Sequence, residues 1–287
     1  MHLPLLLLQL EEEKKLSLDD TVARGLPAAA RTNGYDGSGI TIRQLLDHAS
    51  GLPDCFQALQ ISGPYVLTTS PREVFPPQNL VDVALGRHAP TSEPGERRGC
   101  ATTGYLLAGG VIKAVTGSEP ATEVQRRVIG PPGPRDTALP ASDPALRGNH
   151  LHGYVIRTLF IHDGTASNVQ VCGSAGALAP TLDDMARFSR ALMAGKLLKP
   201  AQMAELKTTV PVSDGVTYGL GTSHTKLPCG TWAWRHNGAV LGCFAGWLGN
   251  EHGTEQVLHA NNEYHLVSGT PGRIRADRAR SDAFCAL

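Results

Sequence analysis

Residues 216–262 decide the fold class, because four short runs rich in β-branched and aromatic residues follow one another there: VTYGLGT (216–222), GTWAWRH (230–236), GCFAGWLG (242–249) and EQVLHANN (255–262). Glycine and proline separate the runs, and these residues mark tight turns between neighbouring strands. We therefore predict an antiparallel meander in the last third of the sequence.

Helical patterns dominate the sequence that precedes the meander. TLDDMARFSRALMA (181–194) starts with a helix-capping threonine and repeats its apolar residues on one face. LPLLLLQL (3–10) is apolar on most of a helical surface, which predicts a helix buried in the core. Further helices are predicted over 41–48, over 79–85, over 121–129 and from Thr103 to the stop residue Gly117.

Helices early and strands late predict an α+β fold, and no internal repeat divides the chain. We predict a single domain over 1–287. Its first part, about 1–180, is mainly helix and loop, and its second part, about 181–287, holds a helix, the antiparallel strands and a C-terminal helix. The loop-rich segment 54–99 is predicted to form the walls of a cleft. The basic amphipathic segment 272–287 is predicted to pack on the sheet.

The balance of charges and the cysteine spacing exclude several kinds of partner. Lys and Arg together number 26, as do Asp and Glu, so no net charge attracts nucleic acid or an anionic membrane. The apolar run 3–10 is too short to span a bilayer and lacks the features of a signal peptide. The six cysteines show no C-x-x-C pair and no spacing typical of zinc ligands, so we expect neither a metal site nor a cofactor.

Six stretches, distributed over nearly the whole chain, carry a resemblance to a known family: LLQLEEEKKLSLDDTV, ITIRQLLDHASGL, EPGERRGCATTGYLLAGGVIKAVTG, GSAGALAPTLDDMARFSRALMAGKLL, YGLGT and RHNGAVLG. They resemble the penicillin-recognising serine hydrolases, and in particular the D-alanyl-D-alanine carboxypeptidases and the class C β-lactamases. The stretches HLHGYV, LPCGTWAWRHNG and DAFC favour the carboxypeptidases. The resemblance implies a β-lactamase/transpeptidase-like fold, in which helices pack on an antiparallel sheet and an all-helical subdomain adjoins it. It also implies an extracellular or periplasmic location.

Members of this family attack the substrate with a serine in an S-x-x-K motif, whose lysine helps to remove the hydroxyl proton so that an acyl-enzyme forms. In the family pattern this serine lies ten residues before the LLQL of 7–10, which is four residues upstream of Met1. We therefore expect a truncated chain that lacks the nucleophile and the two strands before it. One S-x-x-K string, at 223–226, lies in the strand region, where alternation does not bring Ser223 and Lys226 to one face.

The second family motif, Y-S-N, maps onto Cys100-Ala101-Thr102. In the family its tyrosine relays protons to the leaving group and its asparagine contacts the substrate amide. Because a cysteine side chain is shorter than a phenol, we expect this proton relay to fail. We interpret Cys100 as a small, partly buried residue that fills the volume of a lost tyrosine, and a thiol nucleophile with His236 as its base is the alternative.

The third motif, H/K-x-G on the strand beside the cleft, is kept as His236-Asn237-Gly238. The resemblance implies that Gly238 lets a substrate backbone approach the strand, and that His236 supplies positive charge or a hydrogen bond near a substrate carboxylate. Ala239 follows where the carboxypeptidases have a hydroxyl residue. Ser223 stands where the nearest relatives have an arginine for that carboxylate.

These features indicate one function and two alternatives. The first is a serine hydrolase by descent, of the carboxypeptidase and β-lactamase type, which is inactive as the sequence stands. The second is a non-catalytic module that holds a peptidoglycan fragment, such as a D-Ala-D-Ala peptide, through His236, Gly238 and the loop at Ser174. The third is a weak thiol esterase that uses Cys100 and His236.

Two further expectations concern cysteines and strand edges. Cys229 and Cys285 align with cysteines that are bridged in the nearest carboxypeptidases, so the resemblance implies a disulfide and an exported ancestor. Without the family's first strands, a strand edge at 230–236 or 255–262 would be unpaired, and a dimer through that edge would cover it. The histidines other than His236 are expected at the surface.

Overall fold

The computed structural model of the chain describes residues 1–26, 31–66, 73–130, 137, 145–146, 148–157, 160–167, 169–264 and 271–287. Its helices are α1 (His2–Glu12), α2 (Val22–Gly25), α3 (Ile42–Leu46), α4 (Leu59–Val66), α5 (Pro77–Arg87), α6 (Thr102–Thr116), α7 (Pro120–Val124), α8 (Leu182–Met193), α9 (Pro200–Lys207) and α10 (Pro271–Cys285). Its strands are β1 (Arg31–Thr32), β2 (Tyr35–Asp36), β3 (Tyr154–Arg157), β4 (Phe160–Asp163), β5 (Val210–Ser213), β6 (Val216–Tyr218), β7 (Ser223–Lys226), β8 (Trp232–Val240), β9 (Cys243–Gly249) and β10 (Gln256–Asn261).

A six-stranded sheet confirms the predicted meander. Its strand order is β10-β9-β8-β7-β6-β5, and every neighbouring pair is antiparallel. Leu241 and Gly242 form the two-residue turn between β8 and β9, and Gly242 has the left-handed φ of +79° that such turns favour. Among the strands that the structure describes, β5 and β10 form the two edges of this sheet.

Helix α1 lies at the centre of the main hydrophobic core. Its leucines at positions 3, 5, 6, 7, 8 and 10 are all at most 1% exposed. The helix contacts α6, α7 and α9, which cover its different sides. Because a helix that is apolar all round is stable only where other elements enclose it, the sequence pattern and this position agree. The predicted buried helix over 3–10 is confirmed.

Helix ends follow the signals in the sequence. The Thr181 hydroxyl accepts a hydrogen bond from the Asp184 main-chain N–H at 3.1 Å and caps α8. Thr41 and Gln44 form a capping box at the start of α3. Helix α6 ends at Gly117, which has a φ of +72°. The helix predicted over 121–129 is shorter, because α7 passes into a π-helical turn at Gln125–Ile129.

Helix α10 packs on β9 and β10, as predicted for 272–287. A second hydrophobic cluster of Leu227, Ala233, Leu248 and Phe284 lies between this helix and the sheet. A disulfide joins Cys229, in the turn between β7 and β8, to Cys285 at the end of α10, with a Cα–Cα distance of 6.0 Å. It is the pair that the resemblance implies.

The hairpin β3–β4, strand β5 and helix α9 were not predicted. All four residues of β4 are exposed, so its sequence carries no buried stripe that would mark a strand. Within the described part of the chain, no helix combines the length and the apolar character that are needed to cross a bilayer.

Candidate functional site

Strand β8 has nine residues, whereas its neighbour β7 has four. The last residue pair between them is Ser223 opposite Arg235. On its other side, β8 is paired with β9 as far as Val240. In the part of the chain that the structure describes, the β7-side edge of β8 is therefore open from His236 to Val240.

Along this open edge, some main-chain N–H and C=O groups point to the side on which no described strand pairs with β8. The Thr222 hydroxyl donates to the Arg235 carbonyl oxygen at 2.9 Å, so this carbonyl points to the β7 side. Because peptide groups alternate along a strand, Asn237 and Ala239 also direct their N–H and C=O groups to that side. The residues between them are turned towards β9. The edge thus offers two donors and two acceptors to an added strand.

The residues around this edge leave room for a ligand. Asn237 and Gly238 are exposed, and a Cβ atom built on Gly238 would have no heavy atom within 4 Å. Ala239 is half-buried and pairs with Phe244 across the β8–β9 hairpin. Ser223 is half-buried at the end of β7.

His236 is half-buried, and its ring is held from two sides. Its Nδ1 lies 2.8 Å from the carbonyl oxygen of Gly221, and its Nε2 lies 3.5 Å from the main-chain nitrogen of Met1. A carbonyl oxygen only accepts, so we assign the proton to Nδ1 and the lone pair to Nε2. Burial lowers the pKa of His236 well below its ordinary value. The lowered pKa favours the uncharged ring, and the role of His236 near a substrate carboxylate stays a prediction.

Two tyrosines lie next to Gly221. The Tyr105 hydroxyl donates to the Leu46 carbonyl at 2.9 Å, and it is also hydrogen-bonded to the Tyr218 hydroxyl. Since the Tyr105 proton is used by Leu46, Tyr218 is the donor between the two phenols. A Cβ atom on Gly221 would lie 3.2 Å from the Tyr105 hydroxyl, and Gly221 has a φ of +73°, so glycine is required here. Burial raises the pKa of both phenols, which keeps them protonated at neutral pH.

His48 connects these tyrosines to the loop of the second motif. Its ring centroid lies 5.2 Å from that of Tyr105 and 5.5 Å from that of Tyr218. Its Nδ1 accepts from the Ala101 N–H at 3.4 Å, and its carbonyl oxygen accepts from the Gly99 N–H at 3.0 Å. Its φ of +62° is unfavourable for a residue with a side chain, by about 1 kcal/mol or more, and these contacts hold it. Burial lowers the pKa of His48 to about 4.

Cys100 and Thr102 lie at the start of α6, beside Asp54. Cys100 is exposed, yet the surrounding protein desolvates its thiol and, together with the Asp54 carboxylate, raises its pKa. A thiol with a raised pKa stays protonated and is a poor nucleophile. Thr102 hydrogen-bonds Asp54 through both its hydroxyl and its main chain. Thr102 therefore holds the neighbouring loop of Asp54.

Ser174 is turned towards α6 and α1. Its hydroxyl donates to the Tyr105 carbonyl at 2.9 Å, and its own carbonyl oxygen lies 3.0 Å from His2 Nε2. The Ser174 hydroxyl proton is thus already engaged in an intramolecular hydrogen bond. His2 is 8% exposed, so the expectation that the other histidines lie at the surface is wrong for this residue. Burial lowers the pKa of His2 to about 3.

The structure brings some of the predicted site residues together. Ser223, Asn237, Gly238 and Ala239 share the open edge with His236. His236 is hydrogen-bonded to Gly221, beside the Tyr105 hydroxyl. The rings of Tyr105 and Tyr218 lie against His48, which accepts from the Ala101 N–H between Cys100 and Thr102. The disulfide between Cys229 and Cys285 is separate from this group, because it lies beyond the opposite end of β7.

Sequence reasoning assigned no role to His48, Tyr105 or Tyr218. His48 lies in ITIRQLLDHASGL, and Tyr218 in YGLGT, but both stretches served only to establish the resemblance. Tyr105 lies in an apolar helix, and a buried phenol needs a hydrogen-bond partner, which is a signal that could have identified it. Within the described residues, no group of three or more His, Cys, Asp or Glu side chains is arranged to hold a metal ion.

Known proteins resemble this chain in sequence and in architecture. The family described as Beta-lactamase matches residues 4–279. A D-stereospecific amidohydrolase from Streptomyces sp. superposes with a TM-score of 0.86 and is 33% identical, over 91% of this chain and 79% of that chain. Penicillin-binding protein 4* of Bacillus subtilis (strain 168) is 25% identical over 272 residues, which are 90% of this chain and 56% of that protein.

A further similarity concerns the fold alone. The D-amino acid amidase from Ochrobactrum anthropi SV3 superposes with a TM-score of 0.81 at 21% identity, over 100% of this chain and 83% of that chain. The present chain spans just over half the length of its Bacillus relative, 56%. The family match extends from residue 4 to residue 279. The chain therefore belongs to the β-lactamase family of penicillin-recognising serine hydrolases and has the mixed α+β fold of that family.

Proposed function

We propose that the polypeptide of residues 1–287 binds a peptide ending in D-alanyl-D-alanine, or a β-lactam, along the open edge of β8 without forming an acyl-enzyme. The observation that carries this proposal is the edge itself. Asn237 and Ala239 direct their main-chain groups away from β9, and the space at Gly238 is open. The family membership and the Streptomyces amidohydrolase support a ligand that contains a D-residue.

An extended peptide gains main-chain hydrogen bonds when it adds to a sheet edge. The open edge offers four such groups, and each hydrogen bond contributes about 0.5–1.5 kcal/mol net. Ordering the ligand opposes this gain. We therefore expect weak binding, with a dissociation constant on the order of 0.1–1 mM.

Two features support the absence of acylation. The one S-x-x-K string within residues 1–287 lies on β7, where the hydroxyl of Ser223 and the amine of Lys226 are not on one helical face. The tyrosine of the second family motif is replaced by Cys100, whose raised pKa also weakens the thiol esterase alternative. The disulfide between Cys229 and Cys285 supports a location in an oxidising compartment outside the cytoplasm.

Calorimetric titration and intact-mass measurement test the proposal together. N-acetyl-D-Ala-D-Ala should bind reversibly, N-acetyl-L-Ala-L-Ala should bind at least fivefold more weakly, and benzylpenicillin should leave the protein mass unchanged. A mass increase equal to one penicillin molecule contradicts the absence of acylation. Lack of any binding by the D-peptide contradicts the binding function.

A matched pair of variants locates the bound peptide. Gly238→Val places a side chain in the open space beside the edge and should abolish binding. Gly86→Val, at the exposed end of α5, also adds a side chain where no heavy atom lies within 4 Å, and it should leave binding unchanged. Equal effects of the two substitutions, or none from Gly238→Val, would place the ligand elsewhere.

A further inference from the structure

We propose that His150 and His152 bind one divalent transition-metal ion of the class that prefers imidazole ligands, such as Zn²⁺. Both histidines belong to the stretch HLHGYV (150–155) and lie just before β3. The cysteine spacing could not reveal such a site, because both of its protein ligands are histidines. The site does not use the open edge of β8, so metal binding and peptide binding can be measured separately.

Each of the two rings keeps a nitrogen that can bind a metal ion. His150 Nδ1 lies 2.9 Å from the carbonyl oxygen of Gly148, and His152 Nδ1 lies 2.8 Å from Asp163 Oδ2. Asp163 is ionised, because hydrogen bonds from Thr165 and His152 lower its pKa to about 2. Both acceptors only accept, so each Nδ1 donates and Nε2 of the neutral ring keeps its lone pair. A carbonyl or carboxylate on the other nitrogen is the usual partner that orients a metal-binding histidine.

The separation of the two rings fits one shared ion. The ring centroids of His150 and His152 are 5.1 Å apart, and the ring planes are inclined by 25°. A zinc ion lies about 2.1 Å from each nitrogen that binds it, so two imidazoles at a tetrahedral angle on one ion have centroids about 5 Å apart. The two rings therefore already have the separation that a shared ion requires.

The surroundings of the two rings admit a hydrated cation. His150 and His152 are exposed, and they line a surface cavity of about 410 Å³ together with Asp163, Thr165 and three apolar residues. Asp163 carries the one negative charge among the described residues that line this cavity, and a negative charge favours a cation. Since the described residues form no set of three or more metal-binding side chains, water completes the coordination of the ion.

The free thiols of the chain compete poorly for the ion. Burial raises the pKa of all four, which are Cys55, Cys100, Cys172 and Cys243. The thiolate is the form that binds metals, so a raised pKa weakens each thiol as a ligand. A Cβ atom built on Gly153 would lie 2.6 Å from Cys243 Sγ, so this thiol is near His152 in the chain and needs a control.

Calorimetric titration with zinc chloride at pH 7.5 tests the proposal. One Zn²⁺ should bind per chain and Mg²⁺ should not bind, because imidazole suits zinc and magnesium prefers oxygen ligands. His150→Ala and His152→Ala should each weaken zinc binding by about tenfold or more. His162→Ala removes an exposed histidine of β4 in the same hairpin, and it should leave the zinc affinity unchanged. Cys243→Ser should also leave it unchanged.

Ring ¹⁵N spectra identify the ligands and the role of Asp163. Zinc should shift the Nε2 signals of His150 and His152 and leave those of His162 in place. Asp163→Asn keeps an oxygen that can accept from His152 but removes the negative charge. Zinc affinity should then fall by about tenfold while both Nε2 signals still shift, because Asp163 is a positioning residue and not a ligand.

The two alanine variants are independent tests, because both histidines are exposed and their removal should not unfold the chain. Zinc affinity that survives in either variant, or that falls equally in His162→Ala, overturns the proposal. A zinc-induced shift at only one of the two rings overturns it as well. So does the absence of zinc binding by the unmodified protein, and none of these results bears on peptide binding at β8.

Discussion

The Nδ1 atom of His236 donates to the carbonyl oxygen of Gly221 at 2.8 Å, and this contact decides what the histidine of the third motif can do. Burial lowers the pKa of His236 and so favours the uncharged ring, in which Nε2 keeps a lone pair that can accept a hydrogen bond. Gly221 itself is fixed, because its φ of +73° and the nearby Tyr105 hydroxyl exclude a side chain.

His236 should be neutral at pH 7. Burial is the main cause of its lowered pKa, and the nearby His2 and His48 lower that pKa further. We expect the ¹⁵N chemical shifts of the ring to show an Nδ1–H tautomer at this pH. Titration of His236 with a midpoint near pH 6.5, or an Nε2–H tautomer, contradicts the assigned geometry.

The Cys100 thiol should react slowly with iodoacetamide. Desolvation and the Asp54 carboxylate raise its pKa, so only a small fraction is thiolate at pH 7.4. We expect alkylation at least tenfold slower than that of glutathione, measured by peptide mass spectrometry so that Cys100 is distinguished from the other free cysteines. Asp54→Asn removes the negative charge and should speed the reaction severalfold.

An activated ester provides the complementary measurement for Cys100. If p-nitrophenyl acetate is hydrolysed and the activity is lost in Cys100→Ala, the thiol esterase alternative is correct after all. We expect no difference between Cys100→Ala and the unmodified protein.

Removing the disulfide should lower stability and leave binding intact. Cys229 and Cys285 are 56 residues apart, and a bridge over such a separation contributes about 2–4 kcal/mol to the free energy of unfolding. We expect the double substitution to alanine to lose this amount in urea titrations. Because the disulfide lies beyond the far end of β7, peptide affinity should change less than twofold.

Acid should destabilise the fold through its buried histidines. Burial lowers the pKa of His2 to about 3 and that of His48 to about 4. Below the ordinary histidine pKa of about 6.5 the unfolded chain binds protons that the folded chain does not, so stability is full above pH 6.5 and falls as the pH decreases. Each histidine should contribute a loss of about 1–2 kcal/mol between pH 6.5 and pH 5. A free energy of unfolding that is the same in His2→Gln and the unmodified protein at both pH values would refute the assignment for His2.

The sequence was sufficient to predict elements that bury a regular stripe or carry clear end signals. Helix α1 is buried on all sides, and α8 has the Thr181 cap, so both were predicted correctly. Strands β6, β8, β9 and β10 fall in the four runs that were predicted from β-branched residues, aromatic residues and glycine turns, whereas β7 lies outside those runs. The hairpin β3–β4 was missed because β4 is wholly exposed, and α9 was missed because only Met203 and Leu206 are buried along it.

The site was predicted less completely, because several of its contacts join elements far apart in sequence. The motif at 236–238 was found by resemblance, but the tautomer of His236 depends on Gly221, and no pattern shows this. The contacts of Tyr105 with Leu46 and of Ser174 with Tyr105 span 59 and 69 residues. The position of Arg235 opposite Ser223 depends on the register between β7 and β8, which only the folded sheet defines.

Amide hydrogen exchange, read residue by residue by NMR with and without N-acetyl-D-Ala-D-Ala, tests the central claim most directly. The open edge of β8 should be covered by the peptide, so exchange should slow at the Asn237 and Ala239 amides and stay unchanged at the His236 and Gly238 amides, which already face β9. Binding without this alternating protection, or protection at neither Asn237 nor Ala239 at saturating peptide, would contradict the account.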